Sequence, residues 1–146
     1  MSDIRNAGAA LKIAVDKRVD SIGRQVASRG TRSVNALRNA ELDVLKGERS
    51  GRVYKKPYSR ATYTASAPGE APARRSGALR LNWHGSVEGG VASKGGVQIV
   101  AALESEQDYS GYLQDGTSHM AARPFKERII EKATPEIEAI YNEPYS

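Results

Sequence analysis

The chain has 146 residues, 39% of them hydrophobic and 27% charged, with a formal net charge of +5 and no cysteine. The missing thiols exclude a disulfide framework and any thiolate metal site, and agree with assembly in a reducing cytoplasm. No apolar run reaches the roughly 18 residues of a membrane-spanning helix, and the N-terminus lacks the apolar core of a secretory signal, so a soluble, non-secreted protein is expected.

The length suits one domain, 1–146, which buries roughly two-thirds of its unfolded surface. An apolar share below the usual value of about 45–50% points to a small core with extended or partner-dependent parts. Charge is spread unevenly. Residues 48–80 carry Arg49, Arg52, Lys55, Lys56, Arg60, Arg74, Arg75 and Arg80 against Glu48 and Glu70. Eight cations less two carboxylates is +6, which leaves −1 for the rest of the chain. Such a block fits a polyanion or an acidic protein neighbour, and equally a solvated loop kept soluble by its charge.

Ile4, Leu11, Val15, Val19, Ile22 and Val26 recur at helical spacing with polar residues between them. Val34, Leu37 and Val44 resume the stripe after Gly30-Thr31, and Gly47 stands where a C-terminal cap belongs. The pattern predicts one long helix from about 4 to 46, capped by Ser2 or Asp3 and kinked or broken near Gly30. A narrow stripe on so long a helix has to pack along its own domain or against a partner. The first is the simpler expectation.

Residues 50–66 turn to β character through Val53, Tyr54, Tyr58, Thr62, Tyr63 and Thr64, with Pro57 confining its surroundings to an edge or loop. Tyrosines interleaved with Arg52, Lys55, Lys56 and Arg60 could stack on bases and grip phosphates, although packing is the plainer role for them. Ala67–Arg75 has neither helix nor strand signals and reads as a loop, mobile and dispensable for the fold of a lone subunit. Ser76 can cap a short helix through Leu81 or Asn82. Trp83–Leu103 reads as a hairpin with Trp83, Val87 and Val91 on one face, Val97, Ile99, Ala101 and Leu103 on the other strand, and Gly95-Gly96 at the turn. Trp83 is expected to cover the core at the end of the sheet, and Glu104–Asp108 to be an exposed acidic link.

Tyr109, Tyr112 and Leu113 share one face of a helical turn that Asp115-Gly116 breaks, with Gly116 supplying a positive φ. Thr117, Ser118 and His119 cross a loop. Pro124 is pre-set for the first position of a final helix over about 124–141, and Phe125, Ile129, Ile130, Ala133, Ile137 and Ile140 form its apolar stripe. Pro135 is expected to kink that helix, with Thr134 capping a restart, and the tail 142–146 to be loose.

Two segments resemble the tail-completion, or head–tail joining, proteins of long-tailed DNA bacteriophages. In that family an aromatic residue, Glu, Gly-Thr, a loop and Ala-x-Pro-Phe precede the last helix. Tyr112, Gly116, Thr117, Met120, Ala122, Arg123, Pro124 and Phe125 match here, while Gln114 stands where the family carries Glu. Upstream, Pro68-Gly69 and then Ser76-Gly77-Ala78-Leu79-Arg80 match its Pro-Gly loop and Thr/Ser-Gly-x-Leu-Arg. The resemblance implies an α+β subunit in which a long N-terminal helix packs on a small, mostly antiparallel sheet closed by a C-terminal helix. It further implies a ring, of six copies in the virion, between the head connector and the tail tube. Its partners would be other copies, neighbouring neck, tail-terminator and tail-tube proteins, and genomic double-stranded DNA passing through without sequence-specific contact. Arg52, Lys55, Lys56, Arg60, Arg74, Arg75 and Arg80 are then expected at the channel wall or the docking contact, with Arg74 and Arg75 on protein.

His84 and His119 are 35 residues apart and belong to no ligand motif, and no phosphate-binding glycine loop or carboxylate pair stands out. Neither catalysis nor a cofactor is expected. A small DNA- or RNA-binding accessory protein is the competing expectation, resting on the Arg/Lys–Tyr block.

Overall fold

The computed structural model describes residues 2–91 and 96–146. Helix α1, Ser2–Val44, is unbroken over its 43 residues. The helix is not broken at Gly30, and the glycine has another cause. A Cβ there would lie 2.6 Å from Ile99 Cδ1 and 2.9 Å from Val87 Cγ1, so Gly30 is the point at which a hairpin comes down onto the helix. Gly85 answers from the hairpin side, where a Cβ would run into Val34. α1 ends at Val44, and Gly47 follows with φ +102, in the backbone region that favours glycine.

Only the second half of α1 is packed. Its buried residues run from Arg29 to Glu41, whereas every residue from Ser2 to Asp20 is exposed. Leu11 and Val15 remain 66% and 51% exposed. The expectation that the whole stripe packs along its own domain is therefore corrected for the first half. Among the described residues, no apolar surface covers it.

The chain forms two separate antiparallel hairpins. β1 (Val53–Lys55) pairs with β2 (Thr62–Thr64), and β3 (Trp83–Val91) pairs with β4 (Val97–Ser105) in the register Trp83↔Ser105. Gly96, at φ +85, suits the expected turn, while Gly95 lies outside the described residues. Three further helices complete the molecule: α2 (Ala78–Leu81), α3 (Ser110–Asp115) and α4 (Lys126–Asn142). α1 packs against both α4 and the β3–β4 hairpin, giving the α+β fold expected from the sequence.

One core lies where α1, α4 and the connecting loops meet, built from Ala40, Leu45, Ala71, Phe125, Ile129 and Ala133. Trp83 closes it as expected, its ring edge-on to Phe125 at 6.0 Å between centroids and its indole N–H donating to Leu79 O. Each fully buried Phe or Ile side chain here contributes about 1.5–3 kcal/mol.

The last helix departs from expectation in four ways. It starts at Lys126, with Phe125 as its N-terminal flanking residue, so Pro124 precedes the helix instead of opening it. Ile130 is half exposed and leaves the stripe to Phe125, Ile129, Ala133, Ile137 and Ile140. Thr134 caps no restart, because its hydroxyl donates to Ile130 O one turn back, and the helix runs through Pro135. The tail is strapped along α1. Arg29 donates to Tyr141 O and Glu143 O, its guanidinium lies 3.8 Å over the Tyr145 ring, and Arg32 makes a two-pronged pair with Glu143. That pair holds the Glu143 carboxyl below its ordinary range.

Candidate functional site

The two matched segments, far apart in sequence, meet on one side of the core. Gly69, Gly77 and Gly116 have φ of +83, +85 and +79, so each occupies a left-handed position that a side chain resists. At Gly116 a Cβ would also lie 2.8 Å from Ala122 N and 2.9 Å from Met120 O. There the chain doubles back: Thr117 and Met120 exchange backbone hydrogen bonds of 2.8 and 3.3 Å, and Arg123 N donates to Leu113 O at 2.7 Å. Leu79, Leu113 and Phe125 carry the two segments into the shared core. Tyr112 points outward at 65% exposure, so it does not share the inward face with Leu113.

Gln114 has a role that sequence reasoning missed. Its side-chain oxygen accepts from Phe125 N and Lys126 N, both at 3.0 Å, and so caps α4 from eleven and twelve residues upstream. Its amide donates to Glu127 at 2.7 Å, which holds that carboxyl below its ordinary range. No local pattern carries such a cap, because helix-capping signals are read from residues adjacent to the helix.

The loop expected to be mobile is anchored over its first half. Ala71 and Pro72 are buried, and Gly69 N donates to Ala122 O at 3.3 Å. Arg49 donates to Ala71 O at 2.8 Å and to Val44 O at 3.0 Å, which ties the loop to the end of α1. Glu70 accepts from the Ser50 hydroxyl, Ala67 N and Ser50 N, and these bonds, the hydroxyl foremost, pull its carboxyl down to about 2. Removing residues 67–75 would take Ala71 out of the core and break the Arg49 and Glu70 bonds, so the deletion is expected to lower stability.

Between this loop, β2, α2 and α3 lies a cleft of about 740 Å³. Arg74, Arg75, Arg80 and Arg123 line it, and no Asp or Glu does. Among the described residues none of the four arginines forms an ion pair. Arg74 and Arg75 are exposed, whereas Arg80 is half-buried and donates through Nε to Leu42 O at 3.1 Å. The rest of the lining is largely apolar and includes Leu45, Leu79, Leu113 and Met120, with Tyr63 and Tyr109.

Behind α2 sits a second charged feature. Arg38 donates to Arg80 O and Leu81 O and to the carboxylate of Glu41, pinning α2 to α1. Glu41 is fully buried, and its Oε1 has no hydrogen-bond partner. Loss of water raises its carboxyl from the ordinary 4.5 to about 7, against the pull of Arg38 and Arg80.

The cationic residues expected to act together thus fall into two groups. Arg74, Arg75 and Arg80 border the cleft, joined by Arg123. Arg52, Lys55, Lys56 and Arg60 ride on the β1–β2 hairpin outside its lining. Tyr54 and Tyr63, directly opposed in that hairpin, stack on each other at 5.9 Å and 28°, which spends their faces on packing. His84 and His119 are both exposed. Among the described residues, no group of His, Cys, Asp and Glu could hold a metal, and no helix is long and apolar enough to cross a membrane. No protein-family model, curated protein or solved structure matches the chain.

Proposed function

We propose that this protein is a non-enzymatic structural component of the tailed-phage neck, which completes the tail and joins it to the DNA-filled head. The observation that carries the reading is the convergence of the two segments resembling the joining proteins, 68–80 and 112–125, around one core and one cleft. In a ring of six, the uncovered stripe of Ile4, Leu11, Val15 and Val19 meets an adjoining subunit or neck protein. That contact gives the exposed apolar residues a burial which the lone chain denies them. Arg74 and Arg75 serve the docking contact. The hairpin cations Arg52, Lys55, Lys56 and Arg60 face the channel, where contact with passing DNA is independent of sequence and weakened by salt.

Electron microscopy of a lysate made with this gene deleted tests the role. The expected result is filled heads beside separate, finished tails. Joined particles would refute it. A small nucleic-acid-binding accessory protein is the second reading, favoured by the exposed cations Arg52, Lys55 and Arg60 of the β1–β2 hairpin. Micromolar binding in a gel-shift assay, with a steep salt slope, would select that reading.

A further inference from the structure

We infer that the cleft between the 71–80 loop and α3 is a docking groove for an extended acidic segment of another protein, one whose carboxylates alternate with apolar side chains. The inference deepens the joining role and rests on it for the setting, since it gives the docking contact a chemistry.

Two features specify the occupant. The first is charge. Arg74, Arg75, Arg80 and Arg123 surround one opening with no carboxylate in its lining, and none of them is ion-paired among the described residues. An incoming carboxylate would form charge-assisted hydrogen bonds with guanidinium groups that have no acidic partner in the lining. Arg80 is already oriented by its bond to Leu42 O, and Arg38 holds the α2 backbone from behind, so part of the arginine array is ordered in advance.

The second feature is the apolar lining. Leu45, Leu79, Leu113 and Met120 offer apolar surface that a phosphodiester backbone cannot use. Burying the apolar side chains of a peptide there gains roughly 25 cal/mol for each Å² removed from water. A duplex would satisfy the arginines and leave that surface wet. A peptide with both kinds of side chain satisfies both. Tyr109, which also lines the cleft, offers a rigid amphipathic side chain of the kind enriched at binding surfaces.

The test uses the full-length protein and a fluorescein-labelled short peptide alternating Glu or Asp with Leu or Phe, followed by fluorescence anisotropy. Three competitors are titrated: the same peptide with Lys for each acid, the same peptide with Ser for each apolar residue, and a short DNA duplex. Micromolar binding of the labelled peptide is expected. It should weaken about tenfold or more in an Arg74→Ser/Arg75→Ser variant and similarly in Arg123→Ser, the loss of one well-made charged contact. Both Ser and Lys peptides should compete poorly. Arg74 and Arg75 are exposed, so an unchanged thermal midpoint is expected for that variant and separates lost binding from lost folding.

Failure of the acidic peptide to bind below millimolar concentration overturns the inference. So does duplex DNA that competes as well as the peptide, which would assign the groove to nucleic acid. The Arg74→Glu/Arg75→Glu variant, returned to the gene-deleted genome, keeps the two levels apart. Unjoined heads and tails after deletion, rescued by the parent chain and by this variant alike, sink the groove and leave the joining role standing. Joined particles after deletion sink the joining role, while the peptide titration still decides the groove on its own.

Discussion

Glu41 makes a direct test of how burial sets stability in this molecule. Its carboxyl is raised from 4.5 to about 7 by loss of water, with Arg38 and Arg80 as the charged groups facing it. Between those values the folded chain holds a proton that the unfolded chain has released, so stability must fall as pH rises through the interval. The contribution is complete below 4.5 and gone above about 7. At about 1.36 kcal/mol per pH unit the interval corresponds to a ceiling of about 3 kcal/mol. Arg38 is 28% exposed and screens the site through solvent, which brings the expectation down to about 1–2 kcal/mol. Glu41→Gln keeps the shape and the acceptor for Arg38 but cannot titrate. Urea midpoints should therefore match the parent near pH 4, and the variant should be more stable by about 1–2 kcal/mol near pH 8. The exposed Glu138→Gln is the control. Parallel curves for Glu41→Gln and parent would refute the reasoning.

Three further outcomes are expected. Gly116→Val forces a branched side chain into φ +79 and against Ala122 N. It should cost about 1–3 kcal/mol, and an unchanged melting midpoint would contradict that geometry. Gln114→Ala removes the two bonds that cap α4 and should cost about 0.5–2 kcal/mol. Gln114→Glu keeps the acceptor but sets a carboxylate against Glu127, so it should fall between parent and Ala in a thermal melt. Glu70, pulled down to about 2, stabilises the fold above 4.5 and ceases to do so as pH falls toward about 2. Glu70→Gln should flatten that acid limb of the denaturant midpoint, and an unaltered limb would show that the Ser50 and Ala67 bonds contribute nothing.

Features set by near neighbours were legible in the residues. The apolar spacing of α1, the β3–β4 hairpin and the break at Gly116 follow from period and from glycine chemistry, and all three stand in the structure. Features made across distance were not. Gln114 reads as a polar residue on a helical turn, and its partners are visible only after the chain folds back at Gly116. Arg29 lies on the helical stripe of α1 without a nearby acid, so nothing local announces that it holds carbonyls of Tyr141 and Glu143. The four-arginine cleft was half visible. Arg74, Arg75 and Arg80 stand out as a run of charge, but Arg123 joins them only through the Arg123–Leu113 backbone bond. The apolar period of α1 states which face can be buried, and is silent on whether any surface exists to bury it.

The exposed half of α1 sets what any partner binding there would have to do. A free peptide of this length would have to nucleate its own helix, a step with an equilibrium constant of about 10⁻³. Here the turn from Arg29 to Glu41, locked into the core, serves as the nucleus, and Ser2–Asp20 need only propagate from it. At 1.5 Å per residue the exposed part reaches about 28 Å from the body of the protein. A neighbour docking on it would therefore meet a helix already formed, and such an assembly would draw on side-chain burial with little of the ordering cost that a folding-on-contact segment would bring.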